Sequence, residues 1–327
     1  MNVLVTGGAG YIGSILLRDL ISKGYHVKCL DRFFFGRGSL SGVEDQVEVI
    51  EEDTRTFDPN ILKNVDIVVD LAAISQPDPK GLINPLRFYD INYVGTIRVA
   101  TLSKKAGVQR YVFPSTCSTY GCQNAILDEN SPLKPLETYA ETKSMAEKAV
   151  LNLLDKKFCV TTLRLGTVYG MSPKMRFDLV LNGMTLSLFK TGVIKVMRDG
   201  NQIRPIVHVR DVTRAILAVI EAEAEKVGGE VFNVGSNDQN FKIIELARLI
   251  GESIGIDYRI EWYGDRDTRS YRVNFDKISK VLGVKTKFSA EKGAKEVYLA
   301  LQSGEARDTE ETHIIKWYKL LQDRGNF

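Results

Sequence analysis

Two motifs in this sequence hold the groups from which catalysis can be built. Tyr139 is followed four residues later by Lys143, and residues at this spacing lie on one face of a helix. Because a neighbouring ammonium group stabilises phenolate relative to phenol, Tyr139 is a candidate general acid and base. Far upstream, Gly7-Gly8-Ala9-Gly10-Tyr11-Ile12-Gly13 is a candidate loop for a nucleotide cofactor. Such a cofactor would accept a hydride while Tyr139 moves a proton.

The glycine segment lies in the local context that a dinucleotide site requires. Residues 2–6 are typical of a short buried strand, and residues 12–22 place apolar side chains at helical spacing. The sequence therefore predicts a strand, a tight turn and a helix in that order. Backbone N–H groups at the start of the helix can then meet a pyrophosphate, which a side chain in the turn would obstruct. The predicted loop contacts are Gly7, Gly10, Tyr11, Ile12 and Gly13.

An acidic residue follows the second predicted strand, which covers residues 25–30. Asp31 lies about 20 residues beyond the glycine loop, where a carboxylate accepts the ribose 2′-hydroxyl of NAD and repels the 2′-phosphate of NADP. We therefore expect NAD as the cofactor. Arg32 acts against this preference, because a guanidinium can pair with a phosphate. The next three residues, Phe33-Phe34-Phe35, predict either a lid over the adenine edge or a packing wedge.

The order of the motifs resembles the extended short-chain dehydrogenase/reductase family, and within it the nucleotide-sugar epimerases and dehydratases. The resemblance covers nearly the whole chain. Five motifs carry it: the spacing of Gly7, Gly10 and Gly13, then Leu71-Ala72-Ala73, Asn92-Tyr93-Val94-Gly95-Thr96, Ser115-Thr116-Cys117-Ser118-Thr119-Tyr120-Gly121, and Tyr139 with Lys143. The resemblance implies NAD as cofactor and a nucleotide-diphosphate sugar as substrate.

The resemblance also implies a role for each matching residue. Tyr139 is the catalytic base, Lys143 lowers its pKa and holds the nicotinamide ribose, and Thr116 hydrogen-bonds the reacting hydroxyl. Beyond the glycine loop and Asp31, the implied cofactor contacts are Arg32, Asp53, Thr54, Leu71, Ala72, Ala73, Asn92, Ser115, Tyr139 and Lys143. The implied substrate contacts are Thr116, Cys117, Ser118, Thr167, Arg204, Arg266 and Arg269.

The two residues directly after Thr116 separate the reactions of this family. Its 4,6-dehydratases carry an Asp-Glu pair there and its decarboxylases carry Glu at the second position, whereas this chain has Cys117 and Ser118. Neither side chain has the acid and base strength of a carboxyl group near neutral pH. The sequence therefore favours epimerisation through a transient 4-keto-sugar, with the hydride returned to the opposite face. The alternatives are oxidation with release of the ketone, dehydration and, in another class, a non-catalytic NAD-binding scaffold.

Several positions depart from the family pattern or leave a choice open. Thr167 replaces an Asn that touches the substrate diphosphate. Asp70 stands where many members carry His, and we interpret it as a solvated carboxylate at a strand end. Arg204 matches a family arginine that pairs with diphosphate, which a guanidinium can bind through two hydrogen bonds. Either Arg266 or Arg269 supplies the second clamp.

Composition limits the classes of partner. The 327 residues include 44 basic and 41 acidic side chains, a net charge of +3, which argues against nucleic acid as a partner. No apolar stretch approaches the roughly 20 residues of a membrane span, and no signal peptide precedes the first strand. We therefore expect a cytoplasmic enzyme. The four cysteines lack zinc spacing, so we predict no metal site, and their small number suits a reducing compartment.

The periodicity predicts a two-part α/β chain. Apolar strands alternate with helical stretches from residue 2 to about 165, which is typical of a doubly wound parallel sheet covered on both faces. We predict a Rossmann-type NAD-binding domain over residues 1–165 and a smaller α/β nucleotide-sugar-binding domain over 166–327. The resemblance implies that segments near 205–235 return to the first domain. It also implies a homodimer in which helices near 92–106 and 139–154 pair across a two-fold axis.

Overall fold

The computed structural model of the protein describes residues 1–75, 81–265, 267 and 269–325. The strands are β1 (Asn2–Thr6), β2 (His26–Asp31), β3 (Val47–Glu51), β4 (Ile67–Asp70), β5 (Arg110–Thr116), β6 (Ile126–Leu127), β7 (Cys159–Leu165), β8 (Thr167–Tyr169), β9 (Val193–Met197), β10 (Ile203–His208), β11 (Val231–Val234), β12 (Asn240–Lys242), β13 (Arg259–Tyr263) and β14 (Arg272–Val273). The helices are α1 (Gly13–Ser22), α2 (Leu86–Phe88), α3 (Thr96–Ala106), α4 (Thr138–Leu151), α5 (Val180–Thr191), α6 (Val209–Glu221), α7 (Ala224–Val227), α8 (Ile243–Ile254), α9 (Asp276–Leu282), α10 (Ala290–Ser303) and α11 (Ile314–Asp323).

Seven parallel strands form the central sheet, in the order β11-β7-β5-β4-β1-β2-β3. The chain moves outward from β1 to β3 and then returns to place β4 on the other side of β1. The two strands at this reversal are paired, with Thr6 of β1 opposite Asp70 of β4. Open α/β sheets bind ligands beyond the carboxyl ends of their strands at such a switch point. The glycine loop follows β1 directly and therefore lies at this position.

Helices cover both faces of the central sheet, as its uninterrupted apolar strands require. On one face α1 and α6 pack in a hydrophobic cluster that includes Leu16 and Ile216. On the other face α3 and α4 pack in a second cluster that includes Val99 and Ala146. The prediction of a doubly wound parallel sheet is confirmed.

Beyond residue 166 the strands are short and belong mostly to smaller sheets. Strands β8, β10 and β12 form a three-stranded sheet, and β9 pairs with β13. Helices α5, α8 and α10 enclose a third hydrophobic cluster that includes Leu181, Leu246 and Ala294. Strand β11 instead pairs with β7 in the central sheet. We propose the domain boundary near residue 165, with α6 and β11 returning to the first domain.

Two local features sharpen the sequence-based predictions. The sequence predicts a helix over residues 177–188, and the observed helix α5 begins at Val180 because the backbone of Leu179 is extended, with ψ of 138°. The aromatic run after Asp31 packs against the C-terminal helix: the ring centroid of Phe35 lies 5.4 Å from that of Tyr318. In addition, Trp317 Nε1 donates to the carbonyl oxygen of Phe34 at 2.6 Å. Of the two alternatives for this run, the packing wedge is the one that these contacts support.

None of the helices in the described part of the chain combines the length and the apolar character that crossing a bilayer requires.

Candidate active site

A cavity of about 720 Å³ lies at the carboxyl ends of β1, β2, β4 and β5 and continues between the central sheet and α5. The predicted site residues that line it are Gly7, Gly10, Tyr11, Ile12, Gly13, Asp31, Arg32, Asp53, Thr54, Leu71, Ala72, Ala73, Ser115, Thr116, Ser118, Tyr139, Thr167, Arg204 and Arg269. Three other predicted residues, Asn92, Cys117 and Lys143, are buried behind this lining. Arg266 lies outside the described residues. The fold therefore brings the cofactor motifs and the substrate motifs to one cavity.

The glycine loop lies so close to neighbouring backbone that side chains do not fit in it. Gly7 has φ of +64°, and a Cβ there would lie 2.8 Å from the backbone nitrogen of Ala72. A Cβ on Gly13 would lie 2.4 Å from the carbonyl oxygen of Gly7. No side chain caps the start of α1, whose first N–H groups have no partners inside the helix. The loop therefore fits the pyrophosphate of a dinucleotide.

Asp31 fixes the glycine loop from the end of β2. Its Oδ2 accepts a hydrogen bond from the Ala9 N–H at 3.0 Å, and its Oδ1 accepts one from the Phe33 N–H at 2.8 Å. Burial raises the pKa of this carboxyl, and the N–H donors offset part of the rise. Each carboxylate oxygen can accept more than one hydrogen bond, so Asp31 can also accept a ribose hydroxyl in the cavity that it lines.

Arg32 is paired with a carboxylate of the protein, so its guanidinium is not free to favour the 2′-phosphate of NADP. Its Nη1 donates to Asp53 Oδ2 at 3.2 Å. Asp53 also accepts hydrogen bonds from Arg55 at 2.6 and 2.9 Å. Burial disfavours the ionised form of Asp53, but the bonds from Arg55 outweigh it and the pKa is lowered. A 2′-phosphate would meet the carboxylates of Asp31 and Asp53, which agrees with NAD rather than NADP.

Ser115 at the end of β5 offers a buried hydroxyl to the cavity. Its Oγ has no hydrogen-bond partner among the described residues. Leaving such a group unbonded costs about 1–3 kcal/mol, so a ligand atom that bonds it restores that free energy. Together with the glycine loop and Asp31, this hydroxyl fits a dinucleotide in the cavity.

Asn92 supports the cofactor side from behind rather than lining it. Its Oδ1 accepts the Ile74 N–H at 2.8 Å, and its Nδ2 donates to the Ile74 carbonyl at 3.2 Å. These bonds fix the backbone just after Leu71-Ala72-Ala73. Asn92 lies within a π-helical turn, Tyr89–Gly95, and such turns often occur at functional sites.

Tyr139 lies in the first turn of α4, with its hydroxyl near the side chain of Thr116. Burial raises the pKa of Tyr139 to about 12, while the Thr116 hydroxyl and the charge of Arg176 act in the opposite direction. The sequence predicts that Lys143 lowers this pKa. Among the described protein groups the cation that lowers it is Arg176, while Lys143 Nζ lies 3.9 Å from the ring centroid of Phe113.

Lys143 is buried, and the carboxylate of Asp70 lies near enough to act on its charge. Burial lowers its pKa to about 8, and the negative charges of Asp70 and Glu147 oppose the fall. Asp70 is only 1% exposed and accepts hydrogen bonds at 2.5 Å from Thr6 Oγ1 and from Tyr111 Oη. Our interpretation of Asp70 as a solvated carboxylate is therefore wrong: side chains of the two adjacent strands cover it.

Cys117 is also placed differently from the prediction. Its side chain is fully buried, and its Sγ lies 3.3 Å from the carbonyl oxygen of Arg164, to which it donates. Burial raises the pKa of the thiol well above its usual range. Cys117 is therefore a core residue, and its prediction as a substrate contact is corrected. The side chain of Ser118 does reach the cavity, where its Oγ lies 3.3 Å from Tyr271 Oη.

Two arginines converge on one carboxylate at the other end of the cavity. Arg204 Nη2 donates to Asp267 Oδ2 at 2.8 Å, and Arg269 binds both Asp267 oxygens at 2.9 Å. Arg269 Nη1 also reaches Glu137 Oε2 at 3.2 Å. The convergence of Arg204 and Arg269 forms a candidate diphosphate clamp, held in place by Asp267 and Glu137.

Among the cavity residues that the sequence-based prediction missed are Lys174, Arg176 and Tyr271. Arg176 Nη2 pairs with Asp178 Oδ2 at 2.6 Å and its Nη1 donates to Ser75 Oγ at 2.8 Å. Lys174 is buried, which lowers its pKa to about 8. The only available signal was the alternation of charged and apolar residues over 174–178, which resembles an ordinary loop.

Fold and site together define a Rossmann-type enzyme with a dinucleotide cavity and a candidate tyrosine acid/base. The family model described as "NAD dependent epimerase/dehydratase family" matches residues 3–235. The chain belongs to this family, the resemblance to extended short-chain dehydrogenases/reductases is confirmed, and the cofactor is NAD.

Known proteins resemble the chain over most of its length. The UDP-glucose 4-epimerase of Lactobacillus helveticus is 30% identical over 310 residues, covering 88% of this chain and 92% of that protein. The UDP-glucose 4-epimerase of Streptococcus mutans is 29% identical over 314 residues, covering 88% and 92%. Among solved structures, MoeE5 in complex with UDP-glucuronic acid and NAD has a TM-score of 0.82 and 27% identity, covering 93% of this chain and 100% of that one.

Proposed function

We propose that the chain is an NAD-dependent nucleotide-sugar epimerase that inverts its sugar through a transient 4-keto intermediate. The observation that carries this proposal is the position of the pair Tyr139 and Thr116, whose side chains lie near each other in the cavity. The pair lies in one cavity between the glycine loop and the convergent Arg204 and Arg269. A dinucleotide and a nucleotide diphosphate sugar can therefore meet at the pair. The relatives named UDP-glucose 4-epimerase support the same reaction.

The chain's own residues supply proton transfer and positioning. As phenolate, Tyr139 takes the proton of the sugar hydroxyl, and it returns a proton after the sugar has turned over. Thr116 orients the reacting oxygen beside Tyr139, and the charge of Arg176 stabilises the phenolate. NAD, held by the glycine loop and Asp31, supplies the hydride acceptor when bound. Arg204 and Arg269 hold the diphosphate while the sugar moves.

The surroundings of Thr116 favour epimerisation over the alternatives. Dehydration requires a further acid and base at the neighbouring carbons, and the residue that could reach them, Ser118, carries only a hydroxyl. The carboxylate of Glu137, directly before α4, is paired with Arg269. Cys117 is buried and points to the core. The site therefore has the residues for hydride and proton transfer at one carbon, which is all that epimerisation needs.

The proposal is tested by identifying products. The purified protein, with NAD, is incubated with UDP-, GDP-, CDP- and dTDP-sugars, and the mixtures are separated by chromatography with mass detection. We expect a new peak of unchanged mass for at least one sugar, absent with Tyr139→Phe. Loss of water would contradict the proposal in favour of dehydration, and loss of two hydrogens in favour of net oxidation. Binding of NAD with no product from any sugar would favour a scaffold.

We also propose that the protein is a cytoplasmic homodimer in which α3 and α4 pair with their copies. The two helices lie side by side on the outer face of the central sheet. Val94, at the start of this helix pair, is 52% exposed. Sedimentation at micromolar concentration should show a dimer that Val94→Arg weakens. A protein that sediments only as a monomer would contradict the dimer.

A further inference from the structure

Tyr271 connects the two ends of the cavity. It follows Asp267 and Arg269 in the chain and is 4% exposed. Its backbone N–H donates to the Ile203 carbonyl, next to Arg204. Immediately after Tyr271, strand β14 pairs with β6, which belongs to the segment between β5 and Tyr139. Backbone hydrogen bonds therefore hold Tyr271 between the diphosphate clamp and the catalytic pair.

The side chain of Tyr271 spans this gap. Its ring lies under the Arg204 guanidinium, with 5.4 Å between Cζ and the ring centroid. Its Oη lies 3.3 Å from Ser118 Oγ. The backbone N–H of Ser118 in turn donates to Thr116 Oγ1 at 3.1 Å. The ring is thus fixed at the clamp. Its hydroxyl contacts Ser118, which is itself hydrogen-bonded to Thr116.

The hydroxyls of Tyr271 and Ser118 suit a neutral, movable partner. Hydroxyl pairs usually lie about 2.7–2.8 Å apart, so at 3.3 Å these two are loosely joined and each can turn toward a third oxygen. Burial raises the pKa of Tyr271, which keeps the phenol protonated and able to donate. Neither group adds a formal charge that would hold a sugar in one orientation.

An epimerase must let its keto-sugar turn over without losing it. A diphosphate clamp anchors only one end of the substrate. The sugar end needs donors that can exchange from one hydroxyl to another during the turn. We propose that Tyr271, together with Ser118, is a positioning residue that holds a hydroxyl of the sugar during this turn and so retains the keto-sugar. This inference rests on the proposed epimerase function.

The test compares Tyr271→Phe, Ser118→Ala and the double variant with the wild type, using a sugar that the wild type epimerises. For Tyr271→Phe we expect about a tenfold fall in kcat/KM, the loss of one neutral hydrogen bond. More keto-sugar should be released into solution, with an equal amount of NADH left on the protein. The double variant should lose little more than either single variant, because the two hydroxyls act on one sugar oxygen. Tyr169→Phe is the matched control: its phenol is buried in the substrate part but does not line the cavity.

Retention is the readout that a purely structural role would not move. If Tyr271→Phe epimerises as fast as wild type, or slows without releasing more keto-sugar, the inference is overturned. Additive losses in the double variant would separate the two hydroxyls and also overturn it. If the wild type epimerises no sugar, the proposed function itself fails, which is a distinct result. A fall in thermal stability matched by Tyr169→Phe, with no extra release of keto-sugar, would show that the phenol serves packing alone.

Discussion

The cofactor end and the substrate end of the cavity are built in different ways. The cofactor end is formed mainly by backbone: Gly7 and Gly13 approach neighbouring backbone, and Asp31 accepts hydrogen bonds from two backbone N–H groups. The substrate end is formed mainly by charged side chains, because Arg204 and Arg269 both bind Asp267. The first end consists of short contiguous segments at strand ends. The second joins residues that are 63 apart in the chain.

This difference predicts how each end of the cavity tolerates amino-acid substitutions. The backbone around the glycine loop is tightly packed, so a single added methyl group would clash with main-chain atoms that cannot move aside. A network of ion pairs can exchange partners, and a diphosphate can replace part of what Asp267 provides to the arginines. We therefore expect substitutions at the cofactor end to affect folding and cofactor binding together. Substitutions at the substrate end should affect substrate binding alone.

The largest effect should come from the group between the two ends. Tyr139→Phe removes the acid/base hydroxyl and should lower kcat by about 10²–10⁴-fold. NAD binding, followed by fluorescence titration, should change little. Tyr89→Phe is the control, since its hydroxyl bonds Glu141 at the exposed side of the same helix. A Tyr139→Phe protein with near-native kcat would remove Tyr139 from catalysis.

The backbone cradle is broken by one methyl group at Gly13. In Gly13→Ala the new Cβ would lie 2.4 Å from the Gly7 carbonyl oxygen. Overpacking of this kind costs about 1–3 kcal/mol, so we expect a lower melting temperature and weaker NAD binding together. Gly38→Ala is the control, because a Cβ there meets no atom within 4 Å. Normal NAD affinity in Gly13→Ala would show that the loop is less tightly constrained than its contacts indicate.

The charged end is tested at Arg204. Arg204→Gln removes one half of the clamp, and since a charge-assisted hydrogen bond contributes about 1.5–3 kcal/mol we expect KM to rise roughly 10- to 100-fold. NAD affinity and kcat should change much less. The control is Arg272→Gln, whose side chain is exposed outside the cavity. A fall in kcat with unchanged KM would place Arg204 at the chemistry instead of the diphosphate.

A separate effect, on stability and not on activity, concerns pH and Lys143. Its pKa is about 8 in the folded protein against an ordinary value of 10.5. Between these values the unfolded chain binds more protons than the folded one, so the contribution of Lys143 to stability rises with pH through this window. The difference in unfolding free energy between wild type and Lys143→Met should therefore rise from pH 8 to 10.5, by at most about 1.4 kcal/mol per pH unit. A flat difference over this range would mean that Lys143 is not desolvated.

Local motifs predicted several of the residues that meet in the cavity. The glycine loop, Asp31, Thr116 and Tyr139 were each predicted from a motif, and all line the cavity. The motifs did not predict which side chains are buried. Asp70 and Cys117 have polar or reactive side chains at the right distance along the chain, yet both lie in the core. Which face of a strand end meets a ligand depends on the elements packed against it.

By itself the sequence determined the order of strands and helices, the cradle for a dinucleotide and the candidate tyrosine for acid and base catalysis. These follow from local periodicity, from the absence of a side chain on glycine and from spacing along one helix. Only the tertiary structure decided that Arg176 faces Tyr139, that Arg269 converges with Arg204 on Asp267, and that Tyr271 reaches Ser118. The strength of an interaction between charges or hydroxyls depends on their separation and on their burial. For residues far apart in the chain, both are set only when the segments pack together.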